Sequence, residues 1–410
     1  MGGGSGGGGG GSGGRAGGGS GGDRAGEGGG GSAGGGSGGA AGQDAGSPGG
    51  DAAGGAPSAE EDCTATPNSL LCNPLAPMPP SIKGTGFFPA APDLNTHSSR
   101  MIEYVPDPPL WSDGMEKQRF LVLPKDEKID NADRKKWEFP EGTIFIKSFF
   151  DDSGQGGEPR AIETRFIRAG ENGQFEFYLY KWNPEGTDAE LLVNDIEGDV
   201  NMSYPVSVTI NHMEGGKPLV VNDGKAFDHT LPSRQMCGDC HEENAMVAQT
   251  FIGFDELRLN SKFPTDAPKT QLETLADTGI FTMPIPSDPA AITDDDPRML
   301  RIKRFVFGNC VHCHSSSGAQ VDFSPEVFVE NTVGKATEAQ SVVPPPGWLR
   351  IVPGKPENSV VYVQVERVNI PPPMGDAERL RPMPPVGVED VAVPQDALQD
   401  LREWIMSLQP

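Results

Sequence analysis

The chain of 410 residues has no apolar run near the roughly 18 residues that a membrane-crossing helix needs, so no transmembrane segment is expected. It is also short of positive charge. Lys and Arg number 33 against 58 Asp and Glu, which leaves a net charge of −25. Phosphate backbones and anionic lipids attract basic faces, so nucleic acid is excluded as a ligand and an anionic membrane surface is disfavoured. No basic n-region or apolar h-region opens the sequence, because Met1 runs directly into glycine. The expectation, taken with the cysteines below, is an exported protein whose given start lacks its export signal. Long helical bundles and coiled coils are excluded too: 37 of the 39 prolines follow residue 60, and proline breaks helix interiors.

Glycine is abundant but badly distributed. Residues 1–60 hold 32 of the 56 glycines and almost nothing to bury, which reads as a disordered Gly/Ser-rich tether. Residues 61–79 form a cysteine-containing linker. From 80 to 230 come short runs rich in β-branched and aromatic residues: Arg119–Leu123, Thr143–Phe150, Glu163–Arg168, Gln174–Tyr180 and Val206–Ile210. Turn residues such as Pro140-Glu141-Gly142 separate them, which predicts an antiparallel, sandwich-like β domain. Its polar residues read mostly as solvated faces, and Trp111, Trp137 and Trp182 read as core. No chemically suggestive cluster stands out in it.

The six cysteines fall in three pairs. Cys237-Gly238-Asp239-Cys240-His241 and Cys310-Val311-His312-Cys313-His314 are both C-x-x-C-H, the attachment signature of c-type haem. Two thiols on one turn of helix can each add to a haem vinyl group, and the adjacent histidine then supplies the proximal nitrogen to iron. The competing reading is a four-thiolate zinc clip, which needs no histidine after each pair. Cys63 and Cys72 have no following histidine. They read as a disulfide in an oxidising compartment, or as free thiols in a reducing one. Haem attachment is extracytoplasmic in bacteria, which favours the disulfide and a periplasmic or cell-surface location.

The motif leaves the sixth iron ligand open. For the second haem the candidate is Met383 in Arg381-Pro382-Met383-Pro384-Pro385, with Met374 as rival. For the first it is Met283 in Phe281-Thr282-Met283-Pro284, with Met246 or bis-histidine ligation through His229 or His212 as alternatives. Arg298–Phe307 predicts a helix running into Cys310. The stretch from Pro394, with Leu398, Leu401, Trp404, Ile405 and Leu408, predicts a terminal helix. The overall expectation is an α+β multidomain chain: the β domain, then a first haem region at 231–296 and a mostly α-helical cytochrome c-type domain at 297–410.

The sequence also resembles a family of largely uncharacterised, exported bacterial diheme c-type cytochromes over roughly residues 79–410. The segments that carry the resemblance are Pro108-Pro109-Leu110-Trp111-Ser112-Asp113-Gly114, Trp137-Glu138-Phe139-Pro140-Glu141-Gly142-Thr143, Ile162-Glu163-Thr164-Arg165 and Tyr180-Lys181-Trp182-Asn183. Leu231-Pro232-Ser233-Arg234, Gly308-Asn309-Cys310 and Pro353-Gly354-Lys355-Pro356-Glu357-Asn358-Ser359 complete the set. The resemblance implies a β-rich domain joined to a diheme part, with an exported dehydrogenase as redox partner and no catalytic residue. Three functions follow as expectations. The first is an electron carrier with two covalent haems. The second is a peroxidase-type diheme enzyme with one open iron, and the third a binding protein clipped by zinc.

Overall fold

The computed structural model describes residues 63, 68–91, 93–112, 115–151, 160–171, 174–192, 204–208, 213–214, 217–218, 227–232, 237–238, 241, 251–315, 321–337, 343–367, 370–372, 375, 380–384 and 393–409. Six strands form one antiparallel meander in sequence order: β1 (Ile102–Glu103), β2 (Glu116–Val122), β3 (Ile144–Asp151), β4 (Arg160–Ala169), β5 (Phe175–Trp182) and β6 (Ala189–Leu191). Two small antiparallel ribbons accompany it. β7 (Tyr204–Val208) pairs with β10 (Phe227–Leu231), and β8 (Met213–Glu214) with β9 (Lys217–Pro218).

Both faces of the meander are buried, because side chains alternate across a strand and both sets here are largely apolar. Phe120, Ile144, Ile146, Phe166, Tyr180 and Trp182 pack against Leu70, Leu71, Ile82, Phe87 and Phe88. On the other face Leu121 and Phe145 pack against Phe251, Phe254, Leu259, Leu272 and Phe281. Among the described residues no second sheet covers either face: irregular chain covers one, and irregular chain with short helices at Glu256–Leu259 and Gln271–Asp277 covers the other, so the expected sandwich is not seen there. The physical reason is visible in residues 74–91, where Pro74, Pro77, Pro79, Pro80 and Pro89 lack the N–H that a ladder requires. Carbonyls of this segment find donors on the sheet. Arg168 donates to Pro74 O at 3.0 Å and Ala76 O at 2.7 Å, and the Tyr180 hydroxyl donates to Pro79 O at 2.7 Å. Cys63 and Cys72 are joined by a disulfide.

Six α-helices appear among the described residues: α1 (Glu256–Leu259), α2 (Gln271–Asp277), α3 (Pro297–Asn309), α4 (Phe328–Thr332), α5 (Val360–Glu366) and α6 (Gln395–Ser407). The chain is therefore mixed α+β. α3 starts where its sequence says it should, with Asp296 accepting from the Arg298 N–H and Pro297 in the first turn. Met299, Ile302 and Val306 from α3 meet Val363 of α5 and Leu401, Trp404 and Ile405 of α6 in a third core. Arg301 reaches across from α3 to Asp400 of α6 through two bonds of 2.5 and 2.7 Å. That fork fixes how the two longest helices cross.

A strap from Tyr104 to Trp111 joins the sheet to this helical core. Gln271 exchanges two hydrogen bonds with the Val105 backbone (2.8 and 2.7 Å), and the Asp107 N–H donates to Arg258 O at 3.1 Å. At its far end the Trp111 N–H donates to Asn309 Oδ1 at 2.8 Å. Beside it a Cβ on Gly308 would stand 2.6 Å from the Pro109 carbonyl oxygen, a distance that backbone atoms cannot tolerate. Gly308→Ala should therefore destabilise the fold by roughly 1–3 kcal/mol through overpacking, read as a lowered denaturant midpoint. An unchanged midpoint would mean that the strap yields.

Candidate cofactor site

The second C-x-x-C-H motif begins where α3 ends. Cys310 closes the helix by donating its N–H to Val306 O at 2.8 Å. One more helical turn follows, in which the Cys313 and His314 N–H groups both donate to Cys310 O, at 3.1 and 2.9 Å. Residues three and four apart share a helix face, so this turn brings Cys310, Cys313 and His314 to one side. That is the arrangement thioether attachment plus proximal ligation requires.

His314 is set by its neighbours. Its ring stacks on Phe323 with centroids 4.6 Å apart and planes 10° from parallel, and the Phe323 N–H donates to His314 O at 2.9 Å. Nδ1 lies 3.3 Å from the Val321 carbonyl, so a proton there leaves Nε2 with its lone pair available to a metal. Phe323 in turn meets Phe328 edge-on, and Phe328 meets Trp404 of α6. Aromatic contact thus runs from the histidine to the terminal helix.

Cys310 faces an apolar cleft walled by Ile302 and Val306 of α3, Val361 and Val365 of α5, Leu401 of α6 and Phe323. Every lining group is apolar or a thiol, which suits a macrocycle edge and offers a hydrated metal ion nothing. The cleft is narrow, about 10 Å³ of free volume, so seating a macrocycle there requires its walls to part. Burial pushes the Cys310 thiol up to about 12, so thiolate ligation would have to overcome that desolvation. Among the described residues, no group of three His, Cys, Asp or Glu gathers where it could hold a metal ion. The donor set of this motif fits a covalent haem.

Met383 is half-buried on a segment pinned to α5. Its N–H donates to Gln364 O at 2.9 Å, Gln364 Nε2 donates to Arg381 O at 3.0 Å, and Arg367 donates to Pro384 O at 2.6 Å. The helix that carries this loop is the one that walls the cleft with Val361 and Val365. Met374 lies outside the described residues.

The first motif is described only in part. Cys237 and Gly238 are helical and half-buried or buried, His241 is helical, and Cys240 lies outside the described residues. The His241 ring sits 6.1 Å from the Phe177 ring of β5. Met283 is 53 % exposed; its backbone is clamped by Asn131 through bonds of 2.8 and 3.0 Å. It borders a second cleft of about 220 Å³ with Trp137, Glu256 and Pro286. Met246 and His212 fall outside the described residues, as does the side chain of His229.

The expectation that polar residues of the β domain are mostly solvated has exceptions: Arg119 is 7 % exposed, Arg168 5 % and Glu163 0 %. A hint lay in cations placed at alternate positions of strands that otherwise read as apolar. No protein-family model, no curated protein and no solved structure matches this chain, so its function has to be read from its own residues.

Burial is the main influence holding His314 below its ordinary pKa of 6.5; Val321 O opposes the shift and His312 adds to it. The folded pKa is the lower one, so protonation favours unfolding. The stability this histidine contributes is complete above about pH 6.5 and lost as the pH falls. Haem-free protein should therefore melt at progressively lower temperature between about pH 7 and pH 5, and His314→Phe should flatten part of that slope. An identical slope in the variant would show that other groups control it.

Proposed function

We propose that this protein is an extracytoplasmic diheme c-type cytochrome that carries electrons. The observation that carries the reading is the helical turn joining Cys310, Cys313 and His314 on one side, against an apolar cleft, with Nδ1 of the histidine directed to a carbonyl. Three sequence features support it: a second C-x-x-C-H at Cys237–His241, a disulfide at Cys63–Cys72, and the resemblance to exported diheme cytochromes. When bound, each haem supplies an iron that takes up and releases one electron.

The chain's own residues do the rest. Cys237, Cys240, Cys310 and Cys313 anchor the two groups, while His241 and His314 provide the proximal nitrogens. Met383 is the distal ligand proposed for the second haem and Met283 for the first. The apolar walls of the cleft exclude water, which together with a methionine ligand sets the potential. The partner proposed is a redox protein, an exported dehydrogenase by the resemblance. The acidic surface would suit a partner with a basic face.

The test is made on full-length protein produced with export and haem-maturation machinery. Replacing Cys310 and Cys313 together by serine should reduce covalent haem from two per chain to one. Met383→Ala should leave two haems attached but move one from low to high spin and lower its potential. Unchanged spin state and potential would remove Met383 from the scheme. Failure of the unsubstituted protein to take up haem would overturn the reading altogether.

A further inference from the structure

The segment that carries Met383 is held by the last turn of α5 at three points. Gln364 Nε2 donates to Arg381 O at 3.0 Å, the Met383 N–H donates to Gln364 O at 2.9 Å, and Arg367 donates to Pro384 O at 2.6 Å. Only the last bond comes from a residue placed at a conformational cost. Arg367 caps α5 with φ at +65°, in the left-handed region, and its N–H donates to Val363 O at 3.1 Å. Glycine is the ordinary occupant of such a cap, because a Cβ there is strained. Among the described residues one other residue besides glycine has a positive φ, Asp126. A short polar side chain offsets that strain with local hydrogen bonds, which a long arginine side chain does not.

What the arginine touches accounts for its place. Its guanidinium carbon lies 5.2 Å from the centre of the Trp111 ring, and only 4 % of the residue is exposed. Trp111 ends the strap that comes from the sheet, and its N–H donates to Asn309 Oδ1 at 2.8 Å. Asn309 immediately precedes Cys310. One tryptophan therefore meets both the residue ahead of the first cysteine and the arginine that holds the residue after Met383.

We propose that Arg367 is a positioning residue for the distal ligand of the second haem. Stacked on Trp111, it fixes the Pro384 carbonyl and so limits where the Met383 thioether can reach. The inference rests on the reading of Cys310–His314 as a haem site with Met383 as its distal ligand. It adds that the strap ties both sides of that site to one residue: Trp111 meets the cysteine side through its backbone and the methionine side through its ring. A bond from a charged donor is stronger than a neutral one, and a guanidinium already held on an aromatic face has little freedom left to lose. The arrangement therefore lowers the ordering cost of keeping methionine on the metal.

The test uses full-length haem-loaded protein in which Cys237 and Cys240 are replaced by serine, so that the remaining haem is the second one. The probe is imidazole, which competes with methionine for the iron, so its affinity reports how firmly the thioether is held. Arg367→Gly removes the side chain and keeps the left-handed backbone at no steric cost. It should bind imidazole about tenfold more tightly than the parent, the factor expected for loss of one hydrogen bond from a charged donor. Arg168→Gln, which loses two carbonyl bonds at the sheet, should lower the melting temperature and leave the imidazole affinity at the parent value. Should Arg367→Gly fail to fold, Arg367→Asn decides by the same measurement, since asparagine tolerates left-handed backbone and is too short to reach Pro384. An unchanged affinity in the Arg367 variant that folds, or an equal gain in Arg168→Gln, overturns the proposal. A parent that already binds imidazole as tightly as Met383→Ala overturns the assignment of Met383 instead, and a parent without haem overturns the haem reading.

Discussion

The approach of Gly308 to the Pro109 carbonyl is the constraint on which the two halves of the molecule depend. Tyr104 belongs to the sheet core and Trp111 to the helical core, so the strap between them has to cross from one to the other. It can do so only where α3 offers no side chain, two residues before Cys310. Asn309 then fixes the depth of the crossing: it accepts from the Trp111 N–H and donates to Phe305 O at 2.9 Å. An ion pair between Arg304 and Asp107 and a bond from Arg258 to Phe307 O at 3.1 Å hold the strap on either side. The second C-x-x-C-H motif follows immediately, so the strap's position also sets where Cys310 begins its turn.

Arginine does much of the internal work of this proline-rich chain. Prolines leave irregular backbone with carbonyls that no strand neighbour can satisfy, and buried carbonyls without donors are costly. The guanidinium fork, with five donors and a permanent charge, is suited to capping them. Arg168 serves Pro74 and Ala76 and Arg367 serves Pro384 in such stretches, while Arg258 serves Phe307 and Arg350 serves Asn331 at the ends of helices. The net charge of −25 therefore coexists with an interior rich in arginine. Arg119 departs from this pattern, since it caps no carbonyl and meets no carboxylate among the described residues.

Local features were legible in the sequence, and long-range ones were not. The helix expected at Arg298–Phe307 spans Pro297–Asn309, and the terminal helix runs Gln395–Ser407, because Asp296-Pro297 and Pro394 are local start signals. The strand runs were legible for the same reason. What covers the sheet was not, since alternation reports that a face is buried and says nothing of whether strands or coil bury it. Asn309 and Trp111 stand 198 residues apart, and no periodicity reports such a pair. The buried cations were missed because a charged residue on a strand reads as solvent-facing unless its cross-strand neighbours are known. For the candidate site, the spacing of Cys310, Cys313 and His314 announced the turn. The stack on Phe323 and the bond to Val321 required the fold.

The central claim is that the two cysteine pairs bind haem and not zinc. The most direct measurement is a pyridine haemochrome spectrum of protein matured with export and haem-attachment machinery, taken beside the denatured mass and the zinc content. The account predicts two c-type haems per chain, retained on denaturation, with no stoichiometric zinc. A chain that carries no covalent haem and about one zinc would contradict it.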